Sequence, residues 1–324
     1  MNHTWKIIAL AIVVTITGKT QCSHFHSIIV PGQNGEGGQN FSKDCVVNTR
    51  TKVNYGTLDH RTHRGKVDFG QVNCIRRFEG EYGSDVDACS GNNILFGISQ
   101  GAATLVNSLA RKSHQEQEGM AKGLVLESAL GHGNSAIMHR LSNKPRLAAI
   151  TYLPFARIWI PWVAKLAAFP AYNPYGMQAI SSAQQLSPNL PIIIMHDQHD
   201  PCLSINDARA FYCTLKSRKG DQHNVYLMEL ANQEGVGRHL DLLTGEPLHQ
   251  KALQVIYKKH HLPYSDSYDS IDGIDLTPYQ PSVKEVRARI TKSTRCSFWT
   301  RNTIDILTAT TIIGAVYLKY FRER

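Results

Sequence analysis

Asn92–Lys112 reads NNILFGISQGAATLVNSLARK. An apolar run from Asn92 to Gly97 enters Gly97-Ile98-Ser99-Gln100-Gly101, a GxSxG. Beyond it the apolar residues change to helical spacing, with Ala102, Leu105, Val106 and Leu109 on one face. A bare GxSxG is common by chance, but a strand running in and a helix running out make this one specific. The turn is sharp enough to want glycine on both sides of Ser99. The serine hydroxyl is expected to stand clear at the strand's carboxyl end, by the positive end of the following helix.

The same alternation extends in both directions. Phe25–Val30, Lys122–Glu127, Pro191–Met195 and Val225–Leu230 read as strands, and Lys66–Phe69 as a weaker one. Asn40–Val53 is polar and has room for a helix. Asn206–Lys216 and Leu248–Lys259 read as helices, with Phe211, Leu215, Ala252 and Ile256 inward. Apolar strands alternating with helices predict an α/β fold, a mostly parallel sheet with helices on both faces. Residues 132–180 interrupt the alternation with Trp159, Trp162, Phe169, Tyr172 and Tyr175. Such a stripe is either a set of core helices or a lid over a pocket.

A serine hydroxyl becomes a nucleophile only beside a base, and the base needs an acid to orient it. After the strand at 191–195 comes His196-Asp197-Gln198-His199-Asp200. After the strand at 225–230 comes a loop with Gly235, Gly237 and His239. Ser99, a carboxylate after one strand and a histidine after the next follow one another along the chain, each at a strand's carboxyl end, an order that one superfamily of parallel-sheet hydrolases takes. Asp197 and Asp200 are both candidate acids. His239 is the expected base, since His249, His260 and His261 fall in or after the last helix. His196 and His199 read as structural neighbours of the acid.

On these three motifs the chain resembles the α/β-hydrolase superfamily over about residues 25–260. The resemblance implies that fold without its first strands, and catalysis by Ser99, Asp200 and His239, with Asp197 the reserve acid, because the superfamily's acid strand often ends in His-Gly-x-x-Asp and Asp200 takes that last place in His196–Asp200. It implies backbone N–H groups of Gln100 and of Gln33, in the turn after the first strand, as an oxyanion hole. It implies no metal and no organic cofactor. It implies a small-molecule or lipid-like acyl substrate, an ester or a thioester. Two alternatives stay open: a peptidase of the prolyl-oligopeptidase-like branch, and a non-catalytic, membrane-tethered binding protein on the same scaffold.

The ends of the chain carry different signals. Residues 1–22, with Lys6 and the apolar run Ile7–Thr17, read as a signal peptide. The hydrolase domain is then 23–262, and the polar residues 263–302 read as a linker that docks on no core. Residues 303–321 are apolar enough for a transmembrane helix, and 322–324 form a basic tail. The expected protein is exported and held on a membrane by that helix. The formal charge is +9, of which residues 284–324 supply nine Lys and Arg against three Asp and Glu. The remainder is near balance, so no nucleic-acid partner is expected. Seven cysteines, six without the leader, allow disulfides in an exported chain, and their spacing suits no zinc site.

Overall fold

The computed structural model describes residues 26–30, 53–55, 71–76, 78–80, 93–167, 171–218, 224–231, 237–239, 242, 246–262, 264, 273–293 and 311. Six strands form one sheet: β1 His26–Val30, β2 Val53–Tyr55, β3 Asn93–Ile98, β4 Gly123–Glu127, β5 Ile192–Asp197 and β6 Val225–Leu230. Their order is β2-β1-β3-β4-β5-β6, and every neighbouring pair is parallel. Of the helix the sequence left room for at 40–53, only Val53 is described, as the first residue of β2, and residues 40–52 lie outside the described residues. Residues 66–69 lie outside the described residues.

Alternate strand residues supply two separate cores, as the period-2 pleat requires. Leu95, Leu124, Leu126, Ile192, Ile194 and Leu227 face α1 (Gln100–Leu109) and α5 (Ile205–Lys216). Ile94, Phe96, Val125, Ile193, Met195 and Met228 face α6 (Pro247–Lys259) through Ala252, Leu253, Ile256 and Tyr257. Strands buried on both faces explain why Ile94–Ile98 and Ile192–Met195 read as unbroken apolar runs. Between them, α2 (His114–Met120) begins with a capping box of Ser113 and Glu116.

The described residues of 132–180 fold into α3 (Gly133–Ser142), short turns and α4 (Ala156–Ala167). They enclose a small core of their own, with Ile137, Ala156, Ile160 and Tyr172 buried. The apolar stripe is therefore only partly a core. Leu153, Ile158, Val163 and Leu166 remain exposed.

The linker expected at 263–302 is corrected over residues 273–293. This segment crosses the edge strand β6 and docks on both faces of the sheet. Ile274, Leu276 and the buried Tyr279 join the α6 side. Residues 283–293 form a helix, α7, whose Val286 is fully buried on the α5 side with Val283 and Ile290 packed beside it. Gln280 donates to the Val225 carbonyl, and Tyr212 donates to the Pro281 carbonyl at 2.7 Å. Covering an open sheet edge is the physical reason to dock here. Residues 1–22 lie outside the described residues, and so do 303–321 apart from Thr311. Among the described residues no helix is long and apolar enough to cross a membrane.

Candidate active site

The site is built at the carboxyl ends of β3, β5 and β6. Ser99 follows β3 directly and has φ +53°, a left-handed backbone that a serine adopts only under constraint. The constraint is visible on both sides. The Ser99 amide donates to the Glu127 carbonyl at 2.8 Å, and the Ser99 carbonyl accepts from Leu130 N–H. Gly97 makes the turn possible, because a Cβ there would meet the Ala102 Cα at 2.5 Å. Ser99 is 9% exposed, so it does not stand clear as expected. It lies beneath His239, whose Nε2 is 3.0 Å from its Oγ.

His239 is held from the other side. Its Nδ1 is 2.8 Å from Asp200 Oδ2. Asp200 Oδ1 accepts the backbone N–H groups of Cys202 (2.7 Å) and Leu203 (3.0 Å), which fix the carboxylate's rotation. Burial pushes the Asp200 carboxyl up, but the bond and charge of His239, with His196 and Leu203, outweigh it and hold it below the ordinary carboxylate value. His196 is fully buried. Burial lowers its pKa against the pull of Asp200, 3.6 Å away, which suits a neutral neighbour rather than a second base.

The loop carrying His239 can approach only because residue 237 is glycine. A Cβ on Gly237 would collide with the His199 carbonyl. Asp197, the reserve acid, points elsewhere. It accepts from His199 N–H at 2.8 Å and lies 3.5 Å from Arg238 Nε. The structure thus brings Ser99, Asp200 and His239 together and leaves Asp197 out. Gln100 opens α1, so its amide belongs to the first turn, whose N–H groups have no intrahelical partner. Its side chain is drawn aside to Cys74 Sγ. Gln33 lies outside the described residues.

One contributor had no signal in the sequence. His139 Nε2 on α3 is 2.9 Å from the Asp200 carbonyl, tying residues 132–180 to the acid's backbone. Asp200, Cys202 and His239 also form the one trio among the described residues with donor atoms close enough to hold a metal, within 4.8 Å. Both Asp200 carboxylate oxygens are already engaged in the hydrogen bonds above, so that donor set does not fit an ion. Cys202 and Cys213 are not joined in a disulfide.

No protein-family model matches the chain, and neither does any curated protein. Solved structures are similar to it in fold. An esterase from Pyrococcus furiosus shares 12% identity over 74% of this chain and 84% of its own, with a TM-score of 0.47. A monoacylglycerol lipase from Paleococcus ferrophilus shares 12% over 72% and 94%, with a TM-score of 0.39. An acylaminoacyl peptidase from Pyrococcus horikoshii shares 12% over 80% of this chain, which spans 40% of that peptidase, with a TM-score of 0.45. The likeness concerns the fold, and the chemistry rests on the chain's own residues.

Proposed function

We propose that the protein is a serine hydrolase that cleaves a carboxylic ester or thioester through an acyl-enzyme on Ser99. The observation that carries this is the unbroken chain of contacts from Ser99 Oγ to His239 Nε2 (3.0 Å) and from His239 Nδ1 to Asp200 Oδ2 (2.8 Å). In this reading the Ser99 oxygen attacks the substrate carbonyl carbon as its proton passes to His239 Nε2. The Gln100 amide, and Gln33 in the turn after β1, donate to the developing oxyanion. The carbon–oxygen or carbon–sulfur bond then breaks, and His239 returns the proton to the departing alcohol or thiol. Water repeats the sequence on the acyl-enzyme and releases the acid. Asp200 holds the tautomer with Nδ1 protonated and offsets the imidazolium charge, so no metal or organic cofactor takes part. Export and a C-terminal membrane tether belong to this proposal on the sequence of residues 1–22 and 303–321.

The test is labelling with a fluorophosphonate, alongside hydrolysis of chromogenic acyl esters. Wild type should label and Ser99→Ala should not, with circular dichroism unchanged. Labelling that survives Ser99→Ala puts the nucleophile elsewhere. A folded wild type that neither labels nor hydrolyses favours the binding-protein alternative.

A further inference from the structure

Several large apolar side chains stand together in solvent on residues 132–180. Along α4, Ile158, Trp162, Val163 and Leu166 are exposed, Leu166 by 77%. Tyr175 is 73% exposed, and its ring centroid lies 5.8 Å from that of Trp162. The other side of the same helix, through Ala156 and Ile160, packs on Ile137 and Tyr172. Apart from Arg157 and Lys165 this helix is apolar, yet the core covers only one side of it, whereas a largely apolar helix belongs in a core or in lipid. Single exposed apolar residues mean little, but a contiguous group marks a surface that something covers.

Charge says what covers it. From Ser128 to His196 the chain has no Asp and no Glu, while it has Arg140, Lys144, Arg146, Arg157 and Lys165. An ordinary surface intersperses both signs. Arg140, Lys144 and Arg146 are exposed at the end of α3 and the turn after it. Leu141, Ile150 and Trp159 tie that region to α4 in one small core. Lys165 Nζ lies 5.0 Å over the Trp162 ring. An aliphatic face with Trp and Tyr at its side, on a segment whose charged side chains are all cations, has the composition of an interfacial helix. A second copy of the chain would set like charges against like.

We propose that this face docks on an anionic phospholipid bilayer. Ile158, Trp162, Val163 and Leu166 enter the boundary between headgroups and acyl chains, and Arg140, Lys144 and Arg146 meet the anionic headgroups. Each cation near such a surface multiplies partitioning about fivefold at moderate salt, so three give on the order of a hundredfold. The docking uses none of Ser99, Asp200 or His239 and stands apart from the hydrolase reading.

The experiment is hydrogen–deuterium exchange on the full chain with vesicles of phosphatidylcholine, alone or with about a third phosphatidylserine, a composition that sets a negative surface potential. Any tether at 303–321 is then common to both vesicle types. Amides of residues 155–166 should exchange at least tenfold more slowly on the anionic vesicles. That protection should vanish in the triple variant Arg140→Glu/Lys144→Glu/Arg146→Glu and in Ile158→Asp/Leu166→Asp, whose substituted side chains are exposed and leave the fold intact. Ser99→Ala should keep it while losing fluorophosphonate labelling. Equal protection on both vesicle types, or none on either, overturns the proposal. So does protection without vesicles that grows with protein concentration, which would assign the face to a second copy.

Discussion

Asp200 Oδ2 stands 2.8 Å from Nδ1 of His239, across two different strand ends. Asp197, one turn of backbone earlier, is equally buried but is committed to Arg238 and to the His199 amide. Spacing in the sequence admits both carboxylates, and only the direction of each side chain separates them. The expected outcome is asymmetric. Asp200→Asn should lower kcat on an acyl ester by about a thousandfold or more, because the amide no longer holds the required tautomer. Asp197→Asn should change kcat by less than about tenfold and cost roughly 1–2 kcal/mol in thermal unfolding, from the weakened Arg238 contact. The reverse ranking would move the acid to Asp197.

The elbow itself is testable through two glycines. Gly97→Ala puts a methyl 2.5 Å from the Ala102 backbone, which cannot retreat without opening the turn. A loss of about 3 kcal/mol is expected, together with lost labelling at Ser99. Gly119, near the end of α2, has nothing within 4 Å of its Cβ position. Gly119→Ala should therefore raise stability by up to about 1 kcal/mol, through helix propensity alone. Denaturant titration of both variants compares the effects directly.

Asp207 on α5 carries a pH dependence that does not involve the active site. Burial pushes its carboxyl from 3.8 up to about 6, although Ser135 Oγ donates to it and the backbone of His132 and Gly131 favours its charged form. In the folded chain it holds its proton to higher pH than in the unfolded chain. Stability from this group is therefore full below about 4 and falls as pH rises to about 6, by on the order of 3 kcal/mol. Asp200, whose carboxyl is lowered, acts in the opposite sense and only below the ordinary 3.8. Asp207→Asn should thus unfold at nearly the wild-type temperature at a pH near 4, and several degrees higher at a pH near 8. A gap independent of pH would mean that ionisation of Asp207 is not responsible.

Residues 273–293 should be required for folding. Removing them uncovers the edge of β6 and the sites of Tyr279 and Val286. Each of those side chains contributes about 1.5–3 kcal/mol by burial, against a total stability of about 5–15 kcal/mol for a typical domain. A chain ending at Leu262 should be insoluble or fail to label with a fluorophosphonate. One ending at Cys296 should keep both properties. Equal behaviour of the two would show that the segment is dispensable.

The alternation of apolar runs and helical spacing was enough, by itself, to determine the parallel sheet with helices on both faces, and the order of Ser99, Asp200 and His239 along it. Strand and helix periods differ, and a strand buried on both faces has nowhere to place polar residues, so these features are written locally. The helix at 283–293 was also written there, in Val283, Val286 and Ile290, but polar neighbours hid the stripe. Tertiary structure alone decided the rest. Which of two nearby aspartates meets His239 depends on side-chain direction after a turn. That His139 supports Asp200, that residue 237 must be glycine, and that Ser99 lies beneath the imidazole all depend on segments 38 to 140 residues apart. So does the solvent face of α4, since an apolar helix reads the same in sequence whether one side is covered or both.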